Sequence, residues 1–206
     1  MKKIFVVGND NYHYGEWIKN YQFTTNLEEA NIVIFTGGED VDPSLYDCEK
    51  HSSTYSNIRR DLEEKEIFEK IRPDQLCIGI CRGSQFLCVM NGGLLIQNVN
   101  RHATFGTHQI ICRRDDSIRY DITSTHHQMQ YPFLIPSVDY DILYYSVRRS
   151  EYYEGDNIEY PPCEPEIVFY HKKNYPKCLA IQGHPEIMRP EAPVIKMLND
   201  LIDRLC

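Results

Sequence analysis

The sequence predicts an α/β fold: a mostly parallel central sheet with helices on both faces and a small antiparallel extension. Three observations lead there. In the first half of the 206-residue chain, short β-prone apolar runs alternate with helical patterns, as a parallel sheet covered on both faces requires. The stretch 94–148 is richer in strand-like runs, which suggests the antiparallel extension. A helical pattern with one apolar face closes the chain.

The first strand is read at 4–8. Lys2 and Lys3 resemble the charged start of a signal peptide, but the apolar stretch stops at Gly8 and meets the polar run Asn9-Asp10-Asn11, so a strand is the better reading. Further strands are expected at 32–36, 76–80, 108–112, 141–147, 166–170 and 178–182. A charged helix is expected at 58–71, with Ile58, Leu62, Ile67, Phe68 and Ile71 apolar, and a short one at 84–90. The last helix, 191–205, carries Val194, Ile195, Leu198, Leu201, Ile202 and Leu205 on one face, with Pro190 and Pro193 in its first turn. The polar, aromatic, proline-broken stretch 149–165 reads as a long loop. Strand and loop packing accounts for most of the tyrosines near it, Tyr144, Tyr145, Tyr152, Tyr153 and Tyr160.

The length favours a single domain, 1–206. A net charge of −8, with no basic patch or arm, argues against nucleic-acid binding. The longest apolar runs fall far short of a membrane span. The eight cysteines include no Cys-x-x-Cys pair and no Cys/His spacing suited to zinc, so neither metal nor cofactor is expected. With no export signal read, reduced thiols in a cytoplasm are the expectation.

The chemistry centres on Gly79-Ile80-Cys81-Arg82-Gly83-Ser84-Gln85. A β-prone run enters Cys81, a helical pattern leaves it, and glycines stand two residues to either side. That is the pattern of a nucleophile elbow, a strand-to-helix turn so tight that a neighbouring Cβ would clash. The thiol would stand at a helix start, where free N–H groups and the helix dipole favour a thiolate. The backbone N–H of Arg82, the residue after the nucleophile, is offered to an oxyanion. The Arg82 side chain could bind an anion or pair with a structural carboxylate. A second segment, Cys178 to Gln182 followed by Gly183-His184-Pro185-Glu186, reads as a buried strand running into a candidate base. Glu186 would orient His184, and Pro185 limits how the two splay.

Together these segments resemble the class I glutamine amidotransferase family, and more closely its γ-glutamyl-γ-aminobutyrate hydrolase-like, or peptidase C26, branch. Phe35-Thr36-Gly37-Gly38-Glu39-Asp40-Val41-Asp42-Pro43, with Tyr46 beyond, looks like that branch's Gly-Gly-x-Asp-Val-x-Pro loop. Asn91-Gly92-Gly93-Leu94-Leu95-Ile96-Gln97 looks like the turn and strand after its nucleophile helix, and Ser124-Thr125-His126-His127-Gln128 like its Ser-x-His-His-Gln segment. The matches run in order over about three quarters of the chain.

The resemblance implies a flavodoxin-like three-layer sandwich and a cysteine hydrolase of γ-glutamyl amides. Cys81 would be the nucleophile, His184 the base and then the acid, and Glu186 the orienting carboxylate, with a γ-glutamyl thioester on Cys81. The second oxyanion donor would come from the Gly37-Gly38 turn, taken here as Gly38. Gln85, one helical turn past Cys81, together with His127 and Gln128, would touch the substrate. Adjacent residues of an extended segment point to opposite sides, so one of His126 and His127 is expected in the pocket, taken as His127. His102 and His108 read as structural. Asp40 and Asp42 could bind an ammonium group or close Asx turns, Asp42 the latter. Gly183 departs from the usual bulky aromatic, which would widen the pocket or be filled by a tyrosine from 149–165. The implied partner is a small-molecule γ-glutamyl substrate. The alternative is a glutaminase subunit that passes ammonia to a separate synthase partner. A binding module without activity is disfavoured by the intact Cys81, His184 and Glu186.

Overall fold

The structure is a computed structural model and describes residues 1–8 and 12–206. The polar run 9–11, expected to end the first strand, lies outside the described residues. In chain order the elements are β1 (Lys2–Val6), β2 (Tyr21–Phe23), β3 (Ile32–Phe35), α1 (Ile58–Phe68), β4 (Leu76–Ile80), α2 (Arg82–Met90), β5 (Leu94–Ile96) and β6 (Asn98–Val99). The second half contains β7 (Ala103–Cys112), β8 (Asp115–Thr125), β9 (Met129–Tyr131), β10 (Tyr140–Ser146), β11 (Tyr153–Glu154), β12 (Glu164–Tyr170), β13 (Lys177–Ile181) and α3 (Pro193–Leu205).

Nine strands form one sheet in the order β2-β1-β3-β4-β13-β12-β10-β7-β8. From β2 to β13 the pairing is parallel. From β13 to β8 it is antiparallel. The α/β class and the two-faced sheet agree with expectation, while the antiparallel side is four strands wide and exceeds a small extension. Two further antiparallel pairs, β5 with β9 and β6 with β11, flank it.

The core follows from the period of two in the strands. Ile32 and Ile34 of β3, Ile78 and Ile80 of β4, and Leu179 and Ile181 of β13 share one face with Val194, Ile195, Leu198, Leu201 and Ile202 of α3. Val33, Phe35, Cys77, Cys178 and Ala180 share the other with Phe68 at the end of α1 and Phe86 and Leu87 of α2. Burial on both faces explains why these strands read as unbroken apolar runs.

Boundaries differ in a few places. The charged helix stops at Phe68, short of Ile71. Pro193 is the first residue of α3, and Pro190 precedes it, outside the first turn. The stretch 149–165 is not wholly loop: β11 pairs with β6, and Glu164 opens β12. No helix of the described residues is long and apolar enough to cross a membrane.

Candidate active site

The turn between β4 and α2 is an elbow that sterics enforce. Cys81 has φ 53° and ψ −109°, a conformation that L-residues seldom adopt. A Cβ at Gly79 would lie 2.3 Å from the Gly83 carbonyl oxygen, and one at Gly83 would lie 2.1 Å from that of Phe35. Both glycines are therefore required by backbone, which cannot yield as a side chain could. Cys81 donates its N–H to Ile181 O at 2.9 Å, and its carbonyl accepts from Ser84 Oγ at 2.6 Å and Ser84 N at 3.0 Å. These bonds hold the strained residue between β13 and α2.

His184 follows β13 and is fixed from two sides. Its N–H donates to Thr123 Oγ1 of β8 at 2.7 Å, and that hydroxyl lies 3.2 Å from His184 O. The short 3₁₀ turn Pro185–Ile187 folds Glu186 back, so that Oε1 stands 2.6 Å from His184 Nδ1. Cys81 stands close enough to the ring to favour its charged form. Burial disfavours charge on His184, but its contacts with Cys81 and Glu186 and their charges outweigh this and raise its pKa to about 10. The three sequence-predicted residues thus come together, Glu186 hydrogen-bonded to His184 and Cys81 beside the same ring.

The Gly37-Gly38 turn faces this group. Gly38 has φ 141°, and a Cβ there would lie 2.2 Å from Arg60 Nη1. Arg60 holds the turn by donating to Gly37 O at 3.0 Å and Thr36 Oγ1 at 3.1 Å. The Tyr14 hydroxyl packs against this turn: a Cβ at Gly37 would lie 2.9 Å from it. Burial, then the charges of Glu186 and Cys81, push the Tyr14 pKa up. Sequence reasoning missed Tyr14 and Arg60, which lie on elements far from either motif and carry no local signature. Arg82 N–H opens α2, where no preceding helical carbonyl can accept it. The Arg82 side chain is taken up in a buried pairing with Asp61 and Glu64 of α1.

Cys81, Gly38, Gln85, His127 and Gln128 share a cavity of about 180 Å³. Gln85 Nε2 donates to Gln128 O at 2.9 Å, and Gln128 Nε2 to Thr54 Oγ1 at 3.1 Å. His127 is half-exposed with Nε2 3.1 Å from Asp40 Oδ1, a bond that raises its pKa despite partial desolvation. His126 also borders the cavity but is buried, and desolvation drives its pKa well below the ordinary value. Asp42 caps the 3₁₀ turn Pro43–Tyr46, accepting from Ser44 N at 3.0 Å. None of Tyr144, Tyr145, Tyr152, Tyr153 and Tyr160 borders the cavity.

Gly183 is explained differently from either expectation. A Cβ there would lie 2.6 Å from Ile122 Cγ1 and 2.7 Å from Thr123 O. Strand β8 occupies the space, so no pocket opens and no tyrosine fills it. A separate groove of about 650 Å³ lies beyond, bordered by Thr123, Thr125, Met188 and Ala192; Thr125 also borders the Cys81 cavity. Among the described residues, the one group whose donor atoms approach closely enough for a metal ion is His102, His126 and Glu166.

Peptidase C26 matches residues 18–132. A putative glutamine amidotransferase-like protein, the YvdE homolog of Lactococcus lactis subsp. cremoris, is 32% identical over 133 residues, spanning 55% of this chain and 68% of that one. Protein NtpR of Enterococcus hirae is 28% identical over 123 residues, spanning 50% of this chain and 52% of its own length. Among solved structures, a glutamine amidotransferase from Thermotoga maritima gives a TM-score of 0.56 at 17% identity, covering 98% of this chain and 84% of that one. The glutaminase domain of Trypanosoma brucei CTPS, with bound acivicin, gives 0.58 at 10% identity, covering 100% and 94%. At such identities these two establish the fold alone. The family match and the Lactococcus relative go further: the chain belongs to the peptidase C26 family of glutamine amidotransferase-like amide hydrolases.

Proposed function

We propose that the protein hydrolyses a γ-glutamyl amide through a γ-glutamyl thioester on Cys81. The observation that carries this reading is the grouping of Cys81 with the hydrogen-bonded pair His184–Glu186 beside a cavity bordered by Cys81, Gln85, His127 and Gln128. His184 takes the Cys81 proton, and sulfur attacks the γ-carbonyl carbon. The N–H groups of Arg82 and Gly38 receive the oxyanion. The C–N bond breaks as His184 passes its proton to the departing amine. Water, deprotonated by His184, then cleaves the thioester and releases glutamate.

The cavity of about 180 Å³ suits the glutamyl half. The amine half would leave toward the separate groove of about 650 Å³, which shares the lining residue Thr125 with the cavity. Space for an amine larger than ammonia favours a stand-alone hydrolase over a glutaminase subunit serving a synthase. The test is turnover by the purified chain of glutamine and a panel of γ-glutamyl amides with small and bulky amines, without partner. Brisk release of glutamate from a bulky conjugate is expected. Inertness toward every substrate until a synthase is added would overturn the hydrolase reading. A glutamine-like diazoketone should add its mass to the Cys81 peptide, and equal labelling of Cys81→Ala would overturn the nucleophile.

A further inference from the structure

Below the Cys81 cavity, on the antiparallel side, His102, His108, His126, Glu164 and Glu166 are buried together, each no more than 6% exposed. The proposed hydrolysis uses none of them. Burying two carboxylates and three imidazoles is costly unless each polar atom finds a partner. Only some of them do. Glu166 Oε1 lies 2.7 Å from His108 Nε2. His102 Nε2 lies 3.2 Å from Glu164 Oε2. His126 Nδ1 lies 2.9 Å from Gln128 O. A carbonyl can only accept, so Nδ1 carries the His126 proton and Nε2 presents a lone pair.

The opposite atoms are left over. Among the described residues, both ring nitrogens of His102 as well as His108 Nδ1, His126 Nε2 and Glu166 Oε2 are buried and have no hydrogen-bond partner, and His102 Nδ1 stands 3.9 Å from Glu166 Oε1. One donor atom from each of these three residues lies within 4.8 Å of the other two. Three electron-pair donors converging on one another need a cation or proton donors between them. Each has a group behind it of the kind that supports metal ligands: a carboxylate at ion-pair distance from one histidine, a hydrogen-bonded backbone carbonyl behind the other, an imidazole behind the glutamate. Glu164 is itself held as an acceptor by Ser150 N at 2.8 Å, Tyr153 Oη at 2.7 Å and Ser146 Oγ at 2.8 Å.

We propose that His102, His126 and Glu166 bind one divalent transition-metal ion of the zinc class, with water or the second Glu166 oxygen completing the coordination. The nitrogen–nitrogen–oxygen donor set suits zinc. Bonds of about 2.0–2.1 Å require the donor atoms to close in from their present separation of up to 4.8 Å. A dication also balances the charge of two buried carboxylates. The ion would tie the start of β7, the segment after β8 and β12 into one unit. Because His127 follows His126 directly, the ion would fix the backbone that presents His127 to Asp40. The role is structural, at the floor of the substrate cavity.

The test is metal analysis of the full chain, dialysed against zinc and then against metal-free buffer. One zinc per chain is expected, and cobalt in its place should give visible d–d bands without a thiolate charge-transfer band, since no cysteine belongs to the site. Glu166→Gln and His102→Ala should each lose the ion. His108→Gln, behind a ligand, should weaken zinc about 10–100-fold, while Cys81→Ala should bind it unchanged. Folded wild-type protein that retains no metal would overturn the proposal, leaving the cluster a hydrogen-bonded network of waters and protons. A cobalt–thiolate band, or undiminished zinc in Glu166→Gln, would overturn it as well. Should one ligand variant fail to fold, wild-type stoichiometry and the cobalt spectrum still decide.

Discussion

The Cys81 elbow and the buried histidine–glutamate cluster lie close together but are built on opposite logic. The elbow is made by neighbours in sequence. Its strain at Cys81 is tolerated because Gly79 and Gly83 remove the two Cβ atoms that would collide with backbone. The cluster is made by residues far apart in the chain, and its members are chosen for partners rather than size. Steric placement fixes a reacting atom with few residues and little polarity. Polar placement needs many groups, and any one left unpaired becomes a liability or a site.

The comparison can be broken most sharply at the elbow. Cys81→Ala should remove glutamate release by about 10⁴–10⁶-fold, measured on whichever amide the native chain turns over, with the melting temperature nearly unchanged. Gly83→Ala should do comparable damage by a different route, because its Cβ meets Phe35 O at 2.1 Å; diazoketone labelling of Cys81 should fall with activity. Undiminished labelling would mean that the elbow does not depend on that glycine.

A second tier concerns buried charge. Arg82 pairs with both Asp61 and Glu64 under α2, so Arg82→Ala leaves two carboxylates without their cation. A loss of about 3–5 kcal/mol by denaturant unfolding is expected. A loss below 1 kcal/mol would show that water reaches the pair.

Smaller effects test the cavity and its acid. His127→Ala should raise KM about tenfold with little change in kcat, if the ring meets substrate rather than reacting groups. His184 has its pKa raised to about 10, so its charged form persists through neutrality. Stabilisation from that charge is complete below about pH 6.5, the ordinary histidine value, and is lost as pH rises through about 10. The alkaline fall of kcat/KM should accordingly centre near pH 10 rather than near 6.5. A midpoint near 6.5 would mean that Cys81 and Glu186 do not hold the imidazolium.

The parallel side of the sheet was legible because its strands are buried on both faces and read as unbroken apolar runs. Strand β8 was not. Asp115 to Asp121 are mostly exposed and show no alternation, since this part of the hairpin has no core to face. The elbow was legible because glycine, cysteine and glycine lie within five residues and their geometry is local. Gly183 was misread for the opposite reason: Ile122 and Thr123, which fill its space, stand some sixty residues earlier in the chain.

By itself the sequence determined the alternating strand and helix pattern, the strained cysteine turn and the pairing of His184 with Glu186 two residues on. Each depends on backbone sterics or spacing within one short segment. Tertiary structure decided which face of β8 supports His184, that Tyr14 packs against Gly37, that Arg82 is buried in an ion pair, and that His126 turns inward while His127 meets Asp40. Those choices rest on hydrogen bonds and charges between segments far apart in the chain. Their partners are selected only when the sheet brings the segments together and water is excluded.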